Sequence, residues 1–116
     1  MAYVEGFVVA VPAANKEIYR KHASEALPIF KEFGVTRMVE TWGDEVPDGK
    51  VTDFKGAVKA KDGETVVFGW VEWASKAARD EAWGKIRQDA RMNNGAPMPF
   101  DGQRMIYGGF ATLLDA

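Results

Sequence analysis

Apolar residues alternate with polar or small residues along several segments of the chain, and this period of two predicts β-strands. The three strongest of these segments are Tyr3–Val11, Val66–Trp73 and Arg104–Leu114, and Val35–Trp42 is a further one. In the strongest segments, one face is small and smooth and the other is bulky and aromatic. Neither looks like a solvated face, so we expect both faces of the resulting sheet to be covered.

Apolar residues spaced three or four apart predict two helices between the strands. The first follows Pro12, with Asn15 as its N-cap and Gly34 as its C-terminal stop, and Pro28 inside it predicts a kink or a break. Its buried stripe consists of Tyr19, Ala23, Ala26, Phe30 and Phe33. Ser75 caps a second helix that is predicted to run to about Met92.

The middle of the chain contains a long polar connection and a predicted extra strand. The segment Gly43–Asp53 is longer than the usual connection of about 4–6 residues, which is typical of a functional or mobile loop. Phe54–Lys61 has the pattern of a short strand, and Asp62-Gly63 is a strong signal for the hairpin turn that would join it to Val66–Trp73.

The predicted order β-α-β-(β)-β-α-β is typical of a ferredoxin-like α+β sandwich, a single domain over residues 1–116 with an antiparallel sheet and two helices on one face. The first and third principal strands should lie at its centre. We expect the helices to cover the small residues Gly6, Ala10, Gly69, Gly109 and Ala111. The bulky face would be left open, with Tyr3, Phe7, Phe68, Trp70, Ile106 and Phe110. A second copy covering that face would make a homodimer.

Composition and charge narrow the possible functions. The 15 Lys and Arg residues are outnumbered by 17 Asp and Glu, so there is no basic surplus for binding nucleic acid. The chain has no cysteine, which excludes disulfides and thiolate chemistry. We find no cofactor motif, metal-ligand pattern, signal peptide or membrane-spanning segment. We therefore expect a cytoplasmic protein without cofactor or metal.

Two carboxylates are the first candidates for chemistry. Glu5 and Glu72 are predicted to share the bulky face on neighbouring strands, where apolar surroundings would raise their pKa values and suit general acid–base catalysis. Arg104 is predicted to share that face on the last strand, and Arg37 or Glu40 could join from the second. The alternative is an ion-pair network between subunits, which we favour.

The single histidine and the aromatic residues are the other candidates. His22 could shuttle a proton, although a structural role on the first helix is favoured over catalysis. Aromatic residues of the sheet could stack on a flat ligand, but core and interface packing is the favoured alternative. The predicted ligand-binding residues are Phe7, Trp42, Phe68, Trp70, Arg104 and Phe110.

Three segments resemble a known family. They are RMVETWGDEVPDGKVTDFKGAV (Arg37–Val58), VVFGWVEW (Val66–Trp73) and MPFDGQRMIYGGF (Met98–Phe110). Together they resemble the bacterial domain-of-unknown-function family 1428, and the last segment is the most specific. The resemblance implies a dimeric α+β barrel built from two ferredoxin-like subunits, and it implies no reaction.

Three functions remain open from the sequence. The first is a homodimer that binds a small, partly aromatic or apolar ligand in or beside the barrel. The second is a cofactor-independent enzyme, monooxygenase-like or isomerase-like, that uses a pocket carboxylate or His22 for proton transfer. The third is a structural or partner-binding dimer without a pocket.

Overall fold

The computed structural model describes residues 2–92, 95 and 97–116. Its described residues form one antiparallel sheet of four strands in the order β2-β3-β1-β4, together with three helices. The strands are β1 (Tyr3–Pro12), β2 (Val35–Trp42), β3 (Glu64–Trp73) and β4 (Ile106–Ala111). The helices are α1 (Lys16–Glu32), α2 (Phe54–Ala57) and α3 (Lys76–Ile86). The predicted ferredoxin-like α+β fold, with β1 and β3 at the centre, is confirmed.

Helix α1 forms as its apolar stripe predicts, with Tyr19 buried against the sheet. The helix is not broken at Pro28 but continues to Glu32. The Asn15 side chain makes no capping bond and instead donates to the carbonyl of Pro99 at 3.0 Å. Gly34 has a φ of +114°, the left-handed conformation in which a helix C-terminus favours glycine.

Helix α3 begins as predicted but ends six residues earlier, at Ile86 rather than Met92. The hydroxyl of Ser75 accepts a hydrogen bond from the amide of Ala78 at 3.1 Å and so caps the first turn. Past Ile86 the backbone tightens into turns, in which the amide of Gln88 bonds to the carbonyl of Lys85 at 3.1 Å.

The predicted strand over Phe54–Lys61 is wrong, because its first residues form the single-turn helix α2. Asp53 explains the difference: one of its carboxylate oxygens accepts from the amide of Gly56 at 2.6 Å, which starts a helical turn. Gly63 has a φ of +82° and makes a turn, but it is not the hairpin turn predicted for Asp62-Gly63. That turn leads into β3, which pairs with β1 and β2, so no hairpin is formed with Phe54–Lys61.

The pairing register corrects the predicted faces of β1. Residues paired across an antiparallel ladder lie on the same face, and Phe7 is paired with Gly69 and Gly6 with Trp70. The helix face therefore receives Tyr3, Glu5, Phe7, Val9 and Val11 with Val67, Gly69, Val71 and Trp73. The opposite face, which we call the open face, contains Val4, Gly6, Val8, Ala10, Val66, Phe68, Trp70, Glu72, Ile106, Gly108 and Phe110.

The faces of β1 differ from the prediction because small residues of one strand lie opposite large residues of the next, rather than all small residues lying on one face of the sheet. A Cβ atom on Gly69 would lie 2.6 Å from the Phe7 ring and 2.8 Å from a carboxylate oxygen of Glu40. Tyr3 and Phe7 therefore lie under the helices, and Gly6 and Ala10 lie on the open face. The prediction is right for β3 and β4, whose Phe68, Trp70, Ile106 and Phe110 do lie on the open face.

The long connection between β2 and β3 covers one end of the open face. Val58 is fully buried there in a cluster with Val8, Ala10 and Val66, and Val46 and Ala60 pack against it. The ring of Phe54 meets the edge of Phe68 at a centroid distance of 6.4 Å. The remaining half of the open face has no cover from the described residues, and Phe110 is 60% exposed.

Two glycines in regular elements should respond in opposite ways to the same substitution. Gly69→Ala should lower the free energy of unfolding by about 1–3 kcal/mol, because the added methyl group overpacks Phe7 and Glu40. Gly84→Ala is the control: a Cβ on Gly84 of α3 meets nothing within 4 Å, so it should raise that free energy by about 0.5–1 kcal/mol. Urea denaturation measures both. Equal effects at the two positions would contradict the close approach at Gly69.

Candidate functional site

Glu5 lies on the helix face and joins α3 to the sheet. One of its carboxylate oxygens accepts the indole N–H groups of Trp73 at 2.8 Å and Trp83 at 2.6 Å. The other oxygen accepts from the guanidinium of Arg79 at 3.4 Å, and Arg79 also donates to the hydroxyl of Tyr3 at 3.1 Å. A carboxylate so fully bonded to its own chain anchors the helix and offers little to a ligand.

Glu72 lies on the open face, so the prediction that it shares a face with Glu5 is wrong. In the register of β1 and β3, Glu5 is paired with Val71 and Glu72 with Val4. A carboxylate oxygen of Glu72 accepts the indole N–H of Trp70 at 3.0 Å and lies 3.7 Å from the guanidinium of Arg37. The two carboxylates are therefore separated by the sheet itself.

Arg104 does not lie in β4, as predicted, but in the 3-10 turn Gly102–Arg104 that precedes it. Its guanidinium bonds to both carboxylate oxygens of Glu64 at 2.7 Å and to Asp101 at 3.1 Å. Hydrogen bonds from Arg104 lower the pKa of Glu64 to about 2. Because this pKa is below its ordinary value, the pair stabilises the fold above about pH 4.5 and is lost as the pH falls towards 2.

The open face brings together three of the predicted ligand-binding residues, Phe68, Trp70 and Phe110. They border an apolar hollow of about 580 Å³, in which the rings of Phe68 and Trp70 are 5.7 Å apart. Phe7 also borders this hollow as a residue of the central strand β1, but its ring packs on the helix face with Val9, Val11 and Val67. The hollow is therefore a broad apolar surface with few polar groups to orient a ligand.

A second hollow, which the sequence did not reveal, lies between α1 and β2. We call it the α1–β2 groove; its volume is about 300 Å³. The groove is lined by Lys16, Tyr19, Arg20, Ala23, Ser24, Leu27, Met38, Glu40, Thr41 and Trp42. Trp42 is thus the one predicted ligand-binding residue that lies there. Four of these lining residues are apolar and six are polar, so several polar groups converge on an apolar surface in the groove.

Glu40 is the distinctive polar group of the groove. One of its carboxylate oxygens accepts a hydrogen bond from the hydroxyl of Tyr19 at 2.7 Å. Burial raises the pKa of Glu40, and the bond from Tyr19 lowers it by a smaller amount. Burial and the nearby Glu40 raise the pKa of Tyr19, so its hydroxyl stays protonated. Among the described residues, the second oxygen of Glu40 has no hydrogen-bond partner.

The elements around Tyr19 fix its position and hence that of Glu40. The ring of Tyr19 is 6.3 Å from that of Trp42 and 5.8 Å from that of Phe100. One sequence signal could have found the pair: Met38, Glu40 and Trp42 alternate on one face of β2, which places a carboxylate between two large apolar residues.

His22 lies one turn beyond Tyr19 on α1, outside the groove lining. Its half-buried ring meets the edge of Phe100 at a centroid distance of 6.5 Å. Across the described part of the chain, no group of three or more histidine, aspartate or glutamate side chains is placed to hold a metal ion.

Together these features define a ferredoxin-like α+β protein in which the described residues leave part of an apolar sheet face uncovered and form a groove of about 300 Å³ beneath the first helix. The chain belongs to the family described as "Protein of unknown function (DUF1428)", which its residues 2–102 match, and the predicted resemblance is confirmed. It is 59% identical over 116 residues to the uncharacterized protein YbaA of Escherichia coli, and equally to that of Shigella flexneri. In both cases the alignment covers 99% of each chain.

One solved structure supports the fold, and a second is similar to a lesser degree. A dimeric ferredoxin-like protein from an uncultured marine organism aligns with a TM-score of 0.62 at 9% identity, over 99% of this chain and 98% of that one. SnoaB, a cofactor-independent oxygenase from Streptomyces nogalater, aligns with a TM-score of 0.49 at 14% identity, over 98% and 95% of the two chains. Within the described residues, no helix is both long enough and apolar enough to span a membrane.

Removing the Tyr19 hydroxyl should move the titration of Glu40 upwards. In Tyr19→Phe, burial of the carboxylate remains but the hydrogen bond that lowers its pKa is gone, so the pKa of Glu40 should rise further. A pH titration of the Glu40 side-chain carboxyl carbon by NMR measures this shift. Tyr107→Phe, at a largely exposed tyrosine of β4, is the matched control and should leave the value unchanged. A fall in the Tyr19→Phe variant would mean that Tyr19 does not donate to Glu40.

Proposed function

We propose that this protein is a homodimer that binds a small, partly aromatic or apolar molecule in the α1–β2 groove, which lies on the helix face of the sheet, opposite the interior that two open faces would enclose. The observation that carries the proposal is the half-buried carboxylate of Glu40, which has one oxygen held by Tyr19 and the other without a partner among the described residues.

The groove favours a ligand for two reasons. Its volume of about 300 Å³ is at the lower end of the range for small-molecule pockets, and four of its lining residues are apolar: Ala23, Leu27, Met38 and Trp42. Glu40 is half-buried, and its second oxygen is open to a hydrogen bond from a bound molecule. A ligand that donates to this oxygen would make a charge-assisted hydrogen bond, about twice as strong as one between neutral groups.

The open face supports the homodimer. Phe68 and Ile106 are each 45% exposed there and adjoin the more exposed Phe110, which makes one continuous apolar surface. Surfaces of this kind mark interfaces in soluble proteins. Two sheets pack face to face at about 10 Å, so a second copy can bury the same residues symmetrically. The similarity to a ferredoxin-like protein described as dimeric agrees with this arrangement.

The candidate site residues predicted from the sequence have different roles in this proposal. Phe68, Trp70 and Phe110 line the interior between the two copies, and Trp42 lines the groove. Arg104 and Glu5 stabilise the subunit through the bonds described above.

A second candidate function is proton transfer to a molecule bound in the groove. The observation that favours it is the raised pKa of Glu40, because a buried carboxylate of this kind is a stronger base than an exposed one. If it is correct, a carbon acid bound in the groove should exchange a proton for deuterium in D₂O with the wild type and not with Glu40→Gln. Exchange at equal rates in both proteins would refute it.

A charge placed on the open face should separate the two copies. Phe110→Lys would bury an unpaired ammonium group in the proposed interface, at a cost of several kcal/mol, so this variant should be monomeric. Ile18→Lys, on an exposed position of α1, is the control and should remain dimeric like the wild type. Light scattering coupled to gel filtration measures the masses. A monomeric wild type, or a dimeric Phe110→Lys, would refute the dimer.

Filling the groove should abolish ligand binding without affecting the dimer. Ala23→Trp places an indole in the groove, so affinity for small fragments should fall at least tenfold. Ala77→Trp, on the exposed side of α3, should bind as the wild type does. Fragment screening by NMR, read on the indole N–H of Trp42, gives both the affinity and the location. Fragments that leave Trp42 unperturbed would show that the groove is not the site.

A further inference from the structure

The polar groups of the groove have opposite charges on its two sides. Lys16 and Arg20 project from α1, and Glu40 lies on β2. We propose that the groove selects a flat carboxylic acid whose ring carries a hydroxyl group, with the hydroxyl donating to Glu40 and the carboxylate paired with Lys16 and Arg20. This inference rests on the proposed ligand-binding function and specifies the class of ligand.

The Glu40 side of the groove requires a hydrogen-bond donor. The hydroxyl of Tyr19 already donates to one oxygen of Glu40, at 2.7 Å. An ionised carboxylate has only acceptor sites, so the group that complements its second oxygen is an O–H or an N–H. A hydrogen bond to an ionised group is about twice as strong as one between neutral groups, which makes the donor the strongest determinant of recognition.

The α1 side of the groove requires an anion. The ammonium group of Lys16 lies 5.7 Å from the centre of the Trp42 ring, at the edge of the groove. The only ion pair of Arg20 among the described residues is with Glu17, at 3.5 Å between largely exposed side chains. Such surface pairs contribute less than about 1 kcal/mol, so Arg20 can turn to a ligand at little cost.

The cations on α1 and the carboxylate on β2 together disfavour two related classes of ligand, amines and aromatic acids without a hydroxyl group. An amine could also donate to Glu40, but a cationic ligand would be repelled by Lys16 and Arg20. A plain aromatic acid would satisfy the cations and leave the second oxygen of Glu40 without a partner. Between the two ends, the apolar walls formed by Leu27, Met38 and Trp42 suit a ring rather than a hydrated chain.

Three ring compounds of similar size test this selection: 4-hydroxybenzoate, benzoate and 4-hydroxybenzyl alcohol. Titration calorimetry on the full-length wild type, with the Trp42 indole signal reporting the location, gives three dissociation constants. We expect 4-hydroxybenzoate to bind at least tenfold more tightly than either of the others, because each of those lacks one of the two polar contacts. Benzoate binding as tightly as 4-hydroxybenzoate would overturn the inference.

Variants assign each preference to its residue. Glu40→Gln should reduce the preference for 4-hydroxybenzoate over benzoate to less than about threefold, because the acceptor loses its charge. Lys16→Gln combined with Arg20→Gln should in the same way reduce the preference over 4-hydroxybenzyl alcohol. Lys85→Gln, at an exposed position of α3, is the control and should change neither ratio. Preferences that persist in the groove variants would overturn the inference.

The proposed function and this inference can fail separately. If screening fragments perturb Trp42 but none of the three ring compounds does, the selection is wrong and the groove remains a binding site. If no fragment perturbs Trp42 at all, the proposed function falls and the inference falls with it.

Discussion

The register between β1 and β3 is the constraint on which the rest of the structure depends. The two strands pair along their whole lengths, from Tyr3 opposite Trp73 to Pro12 opposite Glu64. Because side chains alternate between faces, a shift of one residue would exchange every contact on both sides of the sheet. This single register places Glu5 beneath α3, leaves Phe68 on the open face, and gives Glu40 the space beside Gly69.

The elements of the fold could be predicted from the sequence, but the faces of the central strands could not. Alternation with a period of two assigns the residues of each strand to two faces. It does not determine which face of one strand lies on the same side of the sheet as a given face of its neighbour. In β1 both sets are largely apolar, so hydrophobicity alone does not assign Phe7 and Val8 to their faces. Only the pairing decides, and it places Phe7 opposite Gly69, where the missing side chain accommodates the ring.

Side-chain capping explains the other departures from the sequence pattern. Asp53 turns an apparently strand-like segment into a helical turn, and Asp101 accepts from the amide of Gln103 at 3.0 Å to start the turn that contains Arg104. These bonds act over two or three residues, yet they outweigh alternating patterns of eight residues (Phe54–Lys61) and eleven residues (Arg104–Leu114). The groove was missed for a different reason: it depends on the spacing between α1 and β2, which no periodicity encodes. Among the polar residues of the groove, Glu40 has the clearest signal in the sequence, because it is a carboxylate that alternates with Met38 and Trp42 on one face of β2.

The long connection between β2 and β3 has a consequence for how this subunit can evolve. By burying Val58 against Val8, Ala10 and Val66, the chain already shields half of the open face from water with its own residues. The described residues leave the other half uncovered, so in the proposed homodimer the length of this connection would set how much of the face a second copy has to bury. A shorter connection would enlarge the surface that association must bury, and a longer one would make the subunit self-sufficient. Oligomeric state in such a fold can therefore change through insertions in one loop, with the sheet and the groove left intact.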